Sequence, residues 1–247
     1  MQDNQSTDNL FRLTHGIIPA LDDATLDGVL KTVEACAAIE GVVGFKIGLT
    51  TALQLGLSKA VSTIREITDL PIIYDHQKAG ADIPDMGEKF CKIAAESGVN
   101  GLILFPLAGP SAVTSFVGSA IKYNIAPLVG GDLPIEDYTK SGGGYVVDEA
   151  LGDIFVRSIG IGAKYFIVPG KTPEKVRSHS ISLREKMEKP SIIIPGIGAL
   201  GGNISDCFAA APGCNAYAVI GRGIYGADSI ADAAKKFCDE ALQFLGS

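Results

Sequence analysis

The stretch Ile72-Ile73-Tyr74-Asp75-His76-Gln77-Lys78-Ala79-Gly80-Ala81-Asp82-Ile83-Pro84 begins as an apolar strand and ends as a loop carrying Asp75, Lys78 and Asp82. Two carboxylates and an ammonium within eight residues are costly to bury without partners. A solvated turn carries them cheaply. A loop leaving the C-terminal end of a strand is also where parallel α/β proteins place their chemistry. The stretch decides the fold because its plan, an apolar run followed by a polar loop and a helix, recurs along the chain.

Working outward, strands are expected at 16–22, 41–48, 71–75, 101–106, 126–131, 165–170, 191–198 and 216–222. Helices are expected between them at 23–39, 50–67, 86–97, 110–123, 147–161, 172–187, 203–211 and 229–244. Leu26, Leu30, Val33 and Ala37 show the three- and four-residue steps of one buried helix face. Strands that are continuously Val, Ile and Leu are buried on both faces, which implies a parallel sheet. Eight such units in 247 residues fit one (β/α)8 TIM barrel spanning 1–247, with 1–14 as an N-terminal extension. An open doubly wound sheet is the alternative. The even spacing and the lack of a GxGxxG turn after any strand favour the barrel. The segment 131–146 breaks the rhythm. It is long, polar and glycine-rich, either a lid or a disordered tip, and a lid is the preferred reading.

Composition narrows the function. Hydrophobic residues make up 47% and charged residues 20% of the chain, ample for one large core. The net charge of -7 argues against a nucleic-acid partner or an anionic membrane surface. No apolar run reaches the roughly 18 residues of a membrane span, and the polar N-terminus has no secretory signal pattern, so a cytoplasmic protein is expected. The five cysteines are odd in number and lack CxxC spacing, which suits buried free thiols.

In a barrel, Asp22, Lys46, Asp75 and Lys78 lie at or just past the C-termini of strands one to three. Alternating carboxylates and ammoniums converging there hold one another ionised, in a catalytic site or in a structural ion-pair network. On the opposite wall, Pro195-Gly196-Ile197-Gly198, Gly201-Gly202-Asn203 and Ile220-Gly221-Arg222-Gly223-Ile224-Tyr225 supply glycine turns and a guanidinium. Backbone amides at such turns approach an anion closely, and loops seven and eight of many barrels bind phosphate. His15, His76 and His179 show no metal spacing, and His76 reads as a structural or supporting residue. No Ser-His-Asp set and no P-loop occurs.

Taken together, these motifs resemble the orotidine 5′-phosphate decarboxylase family, its archaeal branch above all. The marks are Ala20-Leu21-Asp22, Phe45-Lys46-Ile47-Gly48, Asp82-Ile83-Pro84, Gly142-Gly143-Gly144-Tyr145, Val168-Pro169-Gly170, Pro195-Gly196-Ile197-Gly198 and Gly221-Arg222-Gly223-Ile224-Tyr225. The resemblance implies a barrel that acts as a homodimer without metal or organic cofactor and converts orotidine 5′-monophosphate to UMP and CO2. It implies Lys46, Asp75, Lys78 and Asp82 as the catalytic group, with Lys78 the proton donor and Asp82 reaching into the partner's site. It implies Asp22, Ile83, Pro84, Pro169, Gly198, Gly201, Gly221 and Arg222 as the substrate-binding set, with Asp22 at the ribose and Arg222 at the phosphate.

The chain departs from the family pattern in four places, one of them near Leu133-Pro134, where no hydroxyl residue after strand five is evident to read the pyrimidine. The spacing Asp75-x-x-Lys78-x-x-x-Asp82 is one residue longer on each side of the lysine than Asp-x-Lys-x-x-Asp. Met86 replaces a common threonine, and Leu200 stands where a glutamine bridges pyrimidine and phosphate. These departures keep two alternatives open: a Mg²⁺-dependent sugar-phosphate decarboxylase or aldolase of the same superfamily, and a barrel that binds a nucleotide without turning it over.

Overall fold

In the computed structural model, which describes residues 9–76, 80–198 and 201–246, the apolar runs pair in chain order into a closed parallel barrel. The strands are β1 (His15–Leu21), β2 (Phe45–Ile47), β3 (Ile72–Asp75), β4 (Gly101–Leu104), β5 (Ala126–Val129), β6 (Tyr165–Ile167), β7 (Ser191–Pro195) and β8 (Asn215–Ile220). The seam closes along β1 and β8, from His15 opposite Ala216 to Pro19 opposite Ile220. The helices are α1 (Leu26–Cys36), α2 (Leu49–Leu55), α3 (Leu57–Arg65), α4 (Met86–Glu96), α5 (Pro110–Lys122), α6 (Ala150–Ile161), α7 (Pro173–Arg184), α8 (Ile204–Ala209), α9 (Arg222–Tyr225) and α10 (Ile230–Leu242). The (β/α)8 barrel expected from the sequence is therefore the observed fold.

Strand alternation divides the core in two. On β3, Ile72 and Tyr74 face the helical layer, while Ile73 joins the barrel interior with Ile18, Leu128 and Ile193. Caps sharpen the helix starts: Thr25 Oγ1 accepts from Gly28 N at 3.2 Å, Asn203 Oδ1 from Asp206 N at 2.7 Å, and proline opens α5 and α7. The five cysteines are free and buried, and burial pushes the Cys91 and Cys238 thiols up to about 12. Among the described residues, no helix is long and apolar enough to cross a membrane.

Several elements differ from the sequence reading. The single helix expected over 50–67 is two, α2 and α3, broken at Gly56, whose φ of 78° and ψ of 134° no helix accommodates. Arg222, expected at the end of strand eight, instead opens the short helix α9. Part of the N-terminal extension closes the bottom of the barrel: Phe11 packs on the rings of Tyr217 and Tyr165 at 4.4 and 5.8 Å. Leu10 N donates to Tyr165 Oη at 2.7 Å, and Tyr217 Oη donates to Leu13 O at 2.8 Å. The segment 131–146 folds on itself rather than forming a disordered tip. Tyr138 Oη donates to Gly131 O at 2.6 Å and Lys140 N to Val146 O at 2.7 Å. Asp132, at its root, is buried and paired with Lys175 of α7 at 3.0 Å.

Candidate active site

Strand register sets the height of each charged group. Lys46 on β2 lies opposite Ala20 of β1 and Ile73 of β3, facing into the barrel. Asp75 ends β3 two residues beyond Ile73, and Asp22, two residues beyond Ala20, directly follows the end of β1, so both stand one layer higher. The lysine stem climbs that layer and places Nζ 2.9 Å from Asp75 Oδ2 and 3.2 Å from Asp22 Oδ1. Burial alone would lower the pKa of Lys46, but the carboxylates of Asp75 and Asp22 outweigh it and hold the ammonium above its ordinary value. The other oxygen of Asp75, Oδ1, is buried with no hydrogen-bond partner among the described residues.

These groups form one wall of a cleft of about 400 Å³ at the C-terminal end of the barrel. Asp22, Lys46, Asp75 and His76 face Gly196, Ile197, Gly221, Arg222 and Tyr225 across it. His76 holds Nδ1 2.9 Å from Tyr74 Oη and sets its ring edge-on to Phe90, so it supports the wall from behind as well as lining it. A second feature of the wall is Gly48. A Cβ there would lie 1.9 Å from Asp22 Oδ1 and 3.5 Å from Lys46 Nζ, so the ion pair occupies space that only glycine leaves.

The structure gathers some expected residues and separates others. Asp22, Lys46, Asp75, Gly221 and Arg222 share the cleft. Lys78 and Leu200 lie outside the described residues. Asp82 and Ile83 are exposed on the loop before α4, and with Pro84 they lie outside the cleft's described lining; Ile83 is 62% exposed. Pro169 lines a neighbouring cleft of about 330 Å³ with Asp132, Lys171 and Lys175. The amides of Gly198 and Gly201 are engaged within their own turn, donating to Gly202 O at 2.8 Å and Gly198 O at 2.9 Å. Gly196 and Ile197, the two residues before Gly198, line the cleft where those glycines were expected. Tyr225 and Gly48 stand within the motifs Gly221-Arg222-Gly223-Ile224-Tyr225 and Phe45-Lys46-Ile47-Gly48, but neither was expected as a site residue.

The model of the Orotidine 5'-phosphate decarboxylase / HUMPS family matches residues 16–237, from the first strand into the last helix. The chain belongs to this family. It is 29% identical over 225 residues to the orotidine 5'-phosphate decarboxylase of Methanococcoides burtonii, covering 91% of this chain and 96% of that protein. It is 30% identical over 226 residues to the Methanosarcina barkeri enzyme of the same name, covering 91% of this chain and 93% of that protein. Among solved structures, the orotidine 5'-monophosphate decarboxylase of Methanocaldococcus jannaschii complexed with the inhibitor BMP superimposes with a TM-score of 0.76. Identity there is 25%, over 92% of this chain and 98% of that one.

Proposed function

We propose that this protein is a carboxy-lyase that converts orotidine 5′-monophosphate to UMP and CO2. The observation that carries the reading is the Asp22–Lys46–Asp75 array facing Arg222 across one cleft in a chain of this family. Loss of CO2 leaves carbanion character on the pyrimidine, and a preorganised ammonium stabilises it where charge develops. Lys46 is held in place as an ammonium by two carboxylates. Lys78 is the proton donor in this reading, three residues beyond Asp75 in the sequence. Arg222 and the glycine turns hold the phosphate, and that remote binding aligns the reacting end. The chemistry proceeds without a metal.

Asp82 acts in the partner's site of a homodimer. Its place outside its own cleft, beside the exposed Ile83, supports this. Mixing Asp82→Ala and Lys46→Ala chains then restores activity that neither variant has alone, because one site of each mixed dimer is intact. Absence of restoration would assign Asp82 to its own cleft.

The direct test is loss of orotidine 5′-monophosphate absorbance on adding purified protein, with and without EDTA. Turnover is expected in both, and Lys78→Ala is expected to abolish it while keeping UMP binding. Turnover that EDTA stops would point instead to the metal-using branch of the superfamily. UMP binding with no turnover by the native chain would make the protein a nucleotide-binding barrel, with the lengthened Asp75–Asp82 loop as the cause.

A further inference from the structure

Thr51 is fully buried in the first turn of α2 and lies outside the cleft's lining. Its Oγ1 reaches two backbone carbonyls, Leu21 O and, at 2.7 Å, Asp23 O. Those two carbonyls flank Asp22. A hydroxyl has one proton to donate, so a single donor is shared between the carbonyls of the residues on both sides of Asp22. The position matters because β1 ends at Leu21 and α1 begins at Leu26, leaving the backbone at Asp22 outside both ladders. The Asp23 side chain is turned the other way, accepting from Thr25 N at 2.7 Å and Thr25 Oγ1 at 2.8 Å at the head of α1. Helix α2 thus meets Asp22 twice: Gly48, its N-cap, lies against the carboxylate, and Thr51 holds the backbone beneath it.

We propose that Thr51 is a positioning residue. By holding the carbonyls on either side of Asp22, it fixes that carboxylate against Lys46 and so sets the geometry of the charged array. Its kinetic readout rests on the decarboxylase reading above; its structural readout does not.

The test is a double-mutant cycle between Thr51→Val and Asp22→Ala. Thr51→Val should lower kcat for orotidine 5′-monophosphate about ten- to a hundredfold, the scale of a small misplacement near reacting atoms. KM should change little, because the phosphate is held on the opposite wall. Thr51→Ser, which keeps the hydroxyl, should recover most of the loss. Adding Thr51→Val to Asp22→Ala should change kcat less than about twofold. An equal loss in both backgrounds would show a general structural role and overturn the proposal, as would a Thr51→Val chain with native kcat.

The same cycle is read without any reaction by following Lys46 through its ¹³Cε resonance as pH is raised. Thr51→Val and Asp22→Ala should each lower the Lys46 midpoint, and the pair together no further than Asp22→Ala alone. That result in a chain with no turnover would overturn the decarboxylase reading and leave the positioning role standing. Turnover by the native chain with an unmoved midpoint in Thr51→Val would do the reverse. Should Thr51→Val fail to fold, Thr51→Ala is carried through the same cycle.

Discussion

Lys46 is a cation enclosed by protein, its side chain 9% exposed, between carboxylates that are 38% and 12% exposed. Removing the cation leaves two carboxylates facing one another, one of them nearly out of water. Lys46→Met should therefore abolish turnover and destabilise the fold by on the order of 3 kcal/mol in urea denaturation at pH 7. A variant as stable as the native chain would mean that the array is strained and kept for catalysis alone. The pH dependence follows from the raised pKa of Lys46. A group held above its unfolded value contributes fully below that value and loses its contribution as pH climbs through the folded one. The stability gap between native chain and variant should thus be constant near neutrality and shrink only above the ordinary lysine value of 10.5. At this scale the sequence is a partial guide. Asp22, Lys46, Asp75 and Arg222 are legible because a charge at the end of an apolar run has few places to go in a parallel barrel. Gly48 and Thr51 are not, because their roles are a close approach and a backbone clamp between segments that only the closed fold brings together.

At the scale of elements, the strands are legible because burial on both faces leaves nothing but Val, Ile, Leu and their like. The break between α2 and α3 is hidden, since Leu55 and Leu57 carry the apolar character straight across Gly56. There a substitution meets no neighbouring atom, so the penalty comes from the backbone alone. Gly56→Ala should lower stability by about 1–3 kcal/mol with native activity retained at low temperature. A neutral result in thermal unfolding would show that the two helices can fuse into one. The glycine turn after β7 teaches a different lesson. Gly198 and Gly201 have the composition of an anion cradle, but their amides close their own turn, and Gly196 lies in the cleft instead. Composition locates such a turn; which amides remain unengaged depends on how the turn is wound.

At the scale of the molecule, the barrel is closed at its base by residues that precede its first strand. Phe11 is 5% exposed among the rings of Tyr165 and Tyr217. Phe11→Ala should cost about 3–5 kcal/mol by opening a cavity at the barrel floor, visible as a lower urea midpoint, while the cleft at the other end keeps its ligand affinity. A loss of affinity equal to the loss of stability would mean that the two ends are coupled. The floor and the β1–β8 seam also set an order of assembly. Leu13 and Tyr217 are 204 residues apart in the chain yet hydrogen-bonded in the fold. At a translation rate of about 5–20 residues per second, roughly 10–40 s separate their synthesis. For all of that interval the first strand waits on the ribosome with one edge open, and an open edge invites pairing with another chain. A message cut short before β8 therefore yields no slightly smaller enzyme, but an unclosed sheet offering its oldest strand to its neighbours.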